Sequence, residues 1–285
     1  NLGVLYQNGF EGSPNYSLAV KWYRKAASNG LSQASYNLGL MYELGKGVPQ
    51  DYDSAAKWYK KAAENGNANA QNNLAVLYMR GLGVPQDYKS VVTWFNEAAL
   101  QNKPSAQYNL GLMYAQGSGV TKDDRKAVKL YRKAAEQGYA LGQHNLALMY
   151  QAGQGVPKDI GQAVKLYRLA AEQGLVNSQY RLGLAYYLGT GVTKDQAKGF
   201  EWILRAAEQG SFGAPFMLFM AYSRGEGVAQ DNVKAFMWLI SAESLGHPVT
   251  TKELMEKTKK AVPPAFWKQA QSLASACRLK NYKNC

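Results

Sequence analysis

The chain has 285 residues, of which 46% are hydrophobic and 19% charged, and it carries a formal net charge of +13. It is too apolar for a disordered chain, and its 28 glycines, set at regular steps, are foreign to a plain helical bundle. No apolar run nears the roughly 18 residues that a membrane-crossing helix needs, and no charged-then-apolar leader precedes a cleavage site.

Leu2, Leu38, Leu74, Leu110, Leu146, Leu182 and Leu218 stand 36 residues apart without insertion or deletion. Tyr6, Tyr42, Tyr78, Tyr114, Tyr150, Tyr186 and Tyr222 keep the same step, as does a glycine column from Gly9 through Gly45 to Gly225. Self-similarity at this period marks a repeat architecture. The register puts Asn1-Leu2-Gly3 in mid-helix, so the first repeat is expected to be shortened at its start, with a targeting signal lost upstream.

Within one unit, Ala34, Leu38, Met41 and Tyr42 follow the spacing of an amphipathic helix, which stops at Gly45. The loop Val48-Pro49-Gln50-Asp51 follows, with Asp51 placed to accept the free N–H groups of a second helix. Asp87, Asp123, Asp159, Asp195 and Asp231 repeat that cap, and Asn15 substitutes for it in the first unit. The second helix carries Ala55, Trp58, Tyr59, Ala62 and Ala63 and ends at Asn65-Gly66. One such hairpin cannot bury its own apolar stripe, so copies must stack, each touching its neighbours. The fold class is therefore all-α, an α-solenoid superhelix of tandem 36-residue helix-turn-helix repeats.

Residues 1–246 hold seven tandem repeats. Residues 247–285 read as a degenerate half-repeat with Leu254 in the leucine column, a capping helix from about Ala265 to Leu279, and a basic tail. Both cysteines, Cys277 and Cys285, lie in that tail. A disulfide between them implies an oxidising compartment; two unpaired thiols on a frayed end are the alternative.

Asn37-Leu38-Gly39-Leu40-Met41-Tyr42, the loop from Gly45 to Asp51, and Ala55 to Gly66 resemble the Sel-one-like repeat, a relative of the tetratricopeptide repeat. The resemblance covers essentially all of residues 1–246 and implies a scaffold that recruits other proteins. The paired cysteines of the family's cysteine-rich branch are missing from these repeats, so β-lactam binding is not implied. The Cys277 to Cys285 tail is similar to the ends of secreted bacterial members with host-interaction (virulence) roles. This implies a secreted, periplasmic or envelope protein of a bacterium, with delivery to a host cell as a further expectation.

In tetratricopeptide-like stacks the first helix lines the concave face, which implies a peptide groove built from three columns. Tyr36, Asn72, Tyr108, His144, Tyr180 and Phe216 form the first, Asn37, Asn73, Asn109, Asn145, Arg181 and Met217 the second, and Leu40, Leu112 and Leu184 belong to the third. Side-chain amides carry donor and acceptor together, so such a ladder suits the main chain of a peptide. The alternative is that the amides bond the preceding repeat's backbone and the rings pack between helices.

A second surface is basic. Lys57, Lys60 and Lys61, then Lys129, Arg132 and Lys133, stand at helical spacing on one outward face, and Lys257, Lys259, Lys260 and Lys280 crowd the C-terminal region. A solvated surface is the plain reading; attraction to acidic phospholipid or phosphoinositide membranes is the sharper one. No base-reading module accompanies the charge, so nucleic acid is not expected as a partner.

Catalytic chemistry finds no footing. The repeated Asp caps are single and occupied by helix N-termini, and Gly45-Lys46-Gly47 lacks the strand and Lys-Ser/Thr ending of a phosphate cradle. His144 and His247 lie nearly three repeats apart, and no shared site is expected of them. The expectation is a non-enzymatic monomer without cofactor or metal, binding protein or peptide segments, host proteins among them.

Overall fold

A computed structural model describes residues 2–9, 12–248, 252–260, 262–279 and 282–283. All regular structure among the described residues is helical. In chain order the helices are α1 (Leu2–Asn8), α2 (Tyr16–Ser28), α3 (Ser32–Leu44), α4 (Tyr52–Glu64), α5 (Ala68–Arg80), α6 (Tyr88–Leu100), α7 (Pro104–Gln116) and α8 (Asp124–Glu136). There follow α9 (Ala140–Ala152), α10 (Ile160–Glu172), α11 (Val176–Leu188), α12 (Gln196–Glu208), α13 (Ala214–Arg224), α14 (Asn232–Ser244), α15 (Lys252–Lys260) and α16 (Pro264–Leu279). Odd-numbered members through α13 are the first helices of their hairpins, here A helices; their even partners are B helices.

Local chemistry sets these boundaries. Gly45 ends α3 in the left-handed conformation at φ 64° and returns its N–H to the Met41 carbonyl, a geometry that costs a residue with a Cβ but not glycine. Oδ1 of Asp51 then accepts from the N–H groups of Asp53 and Ser54 at 3.0 and 3.2 Å, starting α4. Asp87, Asp123, Asp159, Asp195 and Asp231 cap their helices in the same way, and Asn15 caps α2 through the Leu18 N–H at 3.0 Å. The loop glycines also fit close approaches: a Cβ on Gly83, at φ 67°, would overlap the Tyr52 backbone of the preceding repeat.

The chain divides into two compact units, Asn1–Gly142 and Gln143–Cys285. In the first, Tyr59 is fully buried among Ala55, Ala62 and Leu74, and its ring lies over Gly39, where an added Cβ would come within 2.6 Å. Tyr131 covers Gly111 in the same manner. In the second unit Ile203 takes the ring's place over Gly183. A small residue on the A helix thus admits a large one from the B helix of the same hairpin.

Successive hairpins are tied by buried amides. Gln71 on α5 donates to the Ala63 carbonyl at the end of α4 at 3.1 Å and accepts from Gln101, just past α6, at 2.8 Å. Gln107 repeats both bonds, to Ala99 and from Gln137. In the second unit Gln179 bonds Ala171 and receives Gln209.

The capping helix expected over about Ala265 to Leu279 is α16, which starts at Pro264. It packs on α14 through Trp238, Ala274 and Cys277, and Trp267 meets Phe236 at 6.0 Å. Cys277 is buried and disulfide-bonded, while Cys285 lies outside the described residues.

Candidate functional site

The columns singled out from the sequence lie on A helices, and the structure sorts them into residues committed to the fold and residues left facing solvent. In the first unit Tyr36 packs on Tyr59 at 5.8 Å, and Tyr108 packs on Tyr131 and Tyr139 at 6.0 and 5.6 Å. Asn73 donates to the Tyr59 hydroxyl at 3.2 Å; Asn37 bonds the Tyr23 hydroxyl and accepts from Gln33. The amides therefore reach side chains, not backbone, of the preceding repeat's B helix. Burial, with the Glu43 carboxylate beside it, raises the Tyr59 pKa far above the ordinary phenol value, so that hydroxyl stays protonated.

Asn72 corrects the expected groove: it is buried, donating to Asn73 and accepting from Ser105 and Asn109 at 3.2 and 3.4 Å. Its carboxamide links two repeats and is not available to a guest. Leu40 is half-buried against the core clusters of its own and the preceding repeat, and Leu112 is half-buried on α7.

The second unit holds the more open arrangement. A cleft of ≈ 460 Å³ is bordered by His144, Tyr180, Arg181, Phe212 and His247. Nδ1 of His144 hydrogen-bonds Ser178 Oγ at 2.7 Å, and its ring rests on Tyr167 at 5.5 Å. Burial first, then the Arg181 charge, push the His144 pKa down to about 4. Asn145 is half-buried next to it on α9. Tyr180 is packed against Gly213, and burial raises its pKa.

His247 stacks on Phe216 at 4.9 Å and on Phe212 at 5.4 Å. The expectation that the two histidines share no site is thus corrected: both line this cleft. Residues of α9 and α11 and the segment before α13 line one cleft, and the chain leaving α14 sets His247 against Phe216 of α13, so separation in sequence does not measure separation in space.

Phe212 was not singled out from the sequence. In the preceding repeat α11 begins at Val176, whose counterpart 36 residues later is Phe212, but α13 begins only at Ala214, with Pro215 in its first turn. The late start leaves Phe212 outside the helix and 51% exposed. The signal was the Gly213-Ala214-Pro215 string, which postpones the helix.

A second cleft, of ≈ 390 Å³, is lined by Arg181, Leu184 and Leu188 together with the buried Val164 and Tyr167. Lys158 also borders it.

The basic surface is less free than its sequence implied. Lys57 pairs with Asp53 at 2.6 Å and Lys60 approaches Glu64 at 4.0 Å. Lys61 donates to the Ala27 carbonyl at 3.0 Å and lies over the Trp58 ring. Lys129 and Lys133 border a surface cleft with Lys126, and Arg132 is exposed on the same helix. Lys257, Lys259 and Lys260 are exposed on α15, and Lys280 lies outside the described residues. Among the described residues no cluster of His, Cys, Asp and Glu could hold a metal ion, and no helix is long and apolar enough to cross a membrane.

The Sel1 repeat matches the chain seven times, over residues 1–31, 32–67, 68–103, 104–139, 140–175, 176–211 and 214–247. Among solved structures, a Sel1 repeat protein from Oxalobacter formigenes is 30% identical, with 85% of this chain and 95% of that one covered and a TM-score of 0.74. The protein c5321, a protective antigen present in uropathogenic Escherichia coli strains and displaying an SLR fold, is 29% identical, with 99% and 83% covered and a TM-score of 0.55. A search of curated proteins returns no match. The chain belongs to the Sel1 repeat family, all-α solenoids that are typically non-enzymatic and serve in general as scaffolds for protein–protein interaction.

Proposed function

We propose that this protein is a binding scaffold that holds segments of partner proteins against its A helices, and that the second unit's cleft between α9, α11 and the segment leading into α13 is its principal contact. One observation carries the reading: Tyr180, Phe212 and His247 present ring surface beside the exposed Arg181 in a single open cleft. Aromatic and arginine side chains are the residues that dominate binding energy where proteins meet. Few of the amides compete for that role, since Asn37, Asn72 and Asn73 are engaged within the fold.

The same reading places the protein outside the bacterial cytoplasm, in the envelope or secreted, with host proteins among its partners. The disulfide at Cys277 supports an oxidising compartment. The likeness to a protective antigen of uropathogenic strains supports exposure to a host.

The test is photo-crosslinking from Asn177, exposed at the cleft edge, against Lys165, exposed on α10 away from both clefts. Adducts with discrete proteins of the envelope or of host-cell extract are expected from Asn177 alone and are lost on Tyr180→Ala with Phe212→Ala. Equal labelling from both positions sinks the reading.

A further inference from the structure

Arg181 stands where the matching positions of four preceding repeats carry Asn37, Asn73, Asn109 and Asn145. The substitution replaces a neutral amide with a permanent cation. Its side chain is exposed on α11, and it takes part in none of the ion pairs among the described residues. Arg181 borders both of the clefts described above, and neither is lined by a single Asp or Glu. Lys158, which borders one cleft, adds positive charge, and the His144 and Tyr180 side chains of the other are uncharged at neutral pH and do not offset it.

From this geometry we infer that the two clefts form one continuous subsite for an extended acidic segment of a partner protein, with an internal Asp or Glu on Arg181 between an aliphatic and an aromatic side chain. The inference rests on the scaffold reading and names the chemistry of the guest. The aliphatic side chain enters the cleft of Leu184, Leu188 and Val164, where the lining is mostly apolar. The aromatic one lies on Phe212 and Tyr180, beside the stacked His247. The carboxylate takes the planar fork of the guanidinium in a two-point hydrogen bond.

An internal acid fits better than a chain terminus because Arg181 lies between two clefts and not at the end of one. A C-terminal carboxylate seated on the guanidinium would leave one cleft empty. In an extended segment, side chains two residues apart point to the same face, so the guest reads as aliphatic, acidic and aromatic at alternate positions.

The experiment uses the full chain and fluorescence anisotropy with acetylated, amidated 12-residue peptides of Gly and Ser that carry Leu, Glu and Phe at alternate positions. Replacing the peptide Glu by Gln is expected to weaken binding about tenfold or more. In Arg181→Ala, a change at an exposed position, the Glu and Gln peptides should bind alike. Arg181→Glu should reverse the preference toward a Lys peptide. Three results overturn the inference: Glu and Gln peptides binding the intact protein equally, no peptide binding at millimolar concentration, or a Gln peptide with a free C-terminus binding as tightly as the blocked Glu peptide. Crosslinks from Asn177 that persist in any of these cases leave the scaffold reading standing, so the two fail separately.

Discussion

The carboxamide of Gln101 donates to Gln71 Oε1 at 2.8 Å, and the same bond at the same length joins Gln137 to Gln107, Gln173 to Gln143 and Gln209 to Gln179. Each of the buried acceptors Gln71, Gln107 and Gln179 also donates to the carbonyl of an alanine in the preceding B helix. One side chain therefore closes the end of one helix and anchors the next. Replacing Gln107 removes both bonds at once, leaving the Ala99 carbonyl to the Asn102 N–H and the Gln137 amide to the Lys133 carbonyl. Gln107→Leu should cost about 1–3 kcal/mol, read as a lower urea midpoint with an unchanged slope. A midpoint equal to wild type would show that the ladder is decorative.

The approach of Tyr59 to Gly39 leaves no room for a methyl group. Gly39→Ala is expected to destabilise by about 1–3 kcal/mol in spite of alanine's better helix propensity. Combining it with Tyr59→Leu should cost less than the sum of the two single changes, because the smaller side chain vacates the space. Strict additivity in a denaturation cycle would mean that the ring and the glycine are not in conflict.

His144 makes stability depend on pH. Its folded pKa is depressed to about 4 from the ordinary 6.5. Between those values the unfolded chain binds a proton that the folded chain does not, so the contribution is complete above about 6.5, declines as pH falls, and is gone below about 4. The expected loss is about 1–2 kcal/mol, below the full linkage value because part of the ring meets solvent. Urea unfolding at about pH 7.5 and about pH 4.5 should show a shallower pH dependence in His144→Gln than in wild type. Parallel dependences would exclude His144 as the titrating group.

Phe212 separates binding from folding. It is 51% exposed and stacks on His247, so Phe212→Ala should shift stability by no more than about 1 kcal/mol. Crosslinking from Asn177 should nevertheless fall severalfold. A variant that melts with wild type and crosslinks undiminished would take Phe212 out of the contact surface.

The repeat itself was legible because it is written in short-range physics. Asp51 caps and Gly45 stops a helix wherever they stand relative to an apolar stripe, and a 36-residue step repeats the instruction seven times. The aromatic columns were legible as positions on one wall of A helices. Their availability was not. Asn72 and Tyr108 occupy equivalent places in successive repeats, yet Asn72 is buried in a bond between repeats while Tyr108 is half-buried beside Tyr139.

What the sequence determined alone was the unit: two helices, their caps, their apolar faces, and the need for copies to stack. Only the tertiary structure decided which polar side chains each stack consumes, since Gln71 meets Gln101 and Asn73 meets Tyr59 across helices whose separation depends on the size of every residue between them. It also decided that His144 and His247 border one cleft and that Phe212 is left outside α13. Local propensity acts within a few residues and repeats faithfully, whereas a binding surface is assembled from what packing leaves uncovered, and that residue set exists only once the hairpins are in contact.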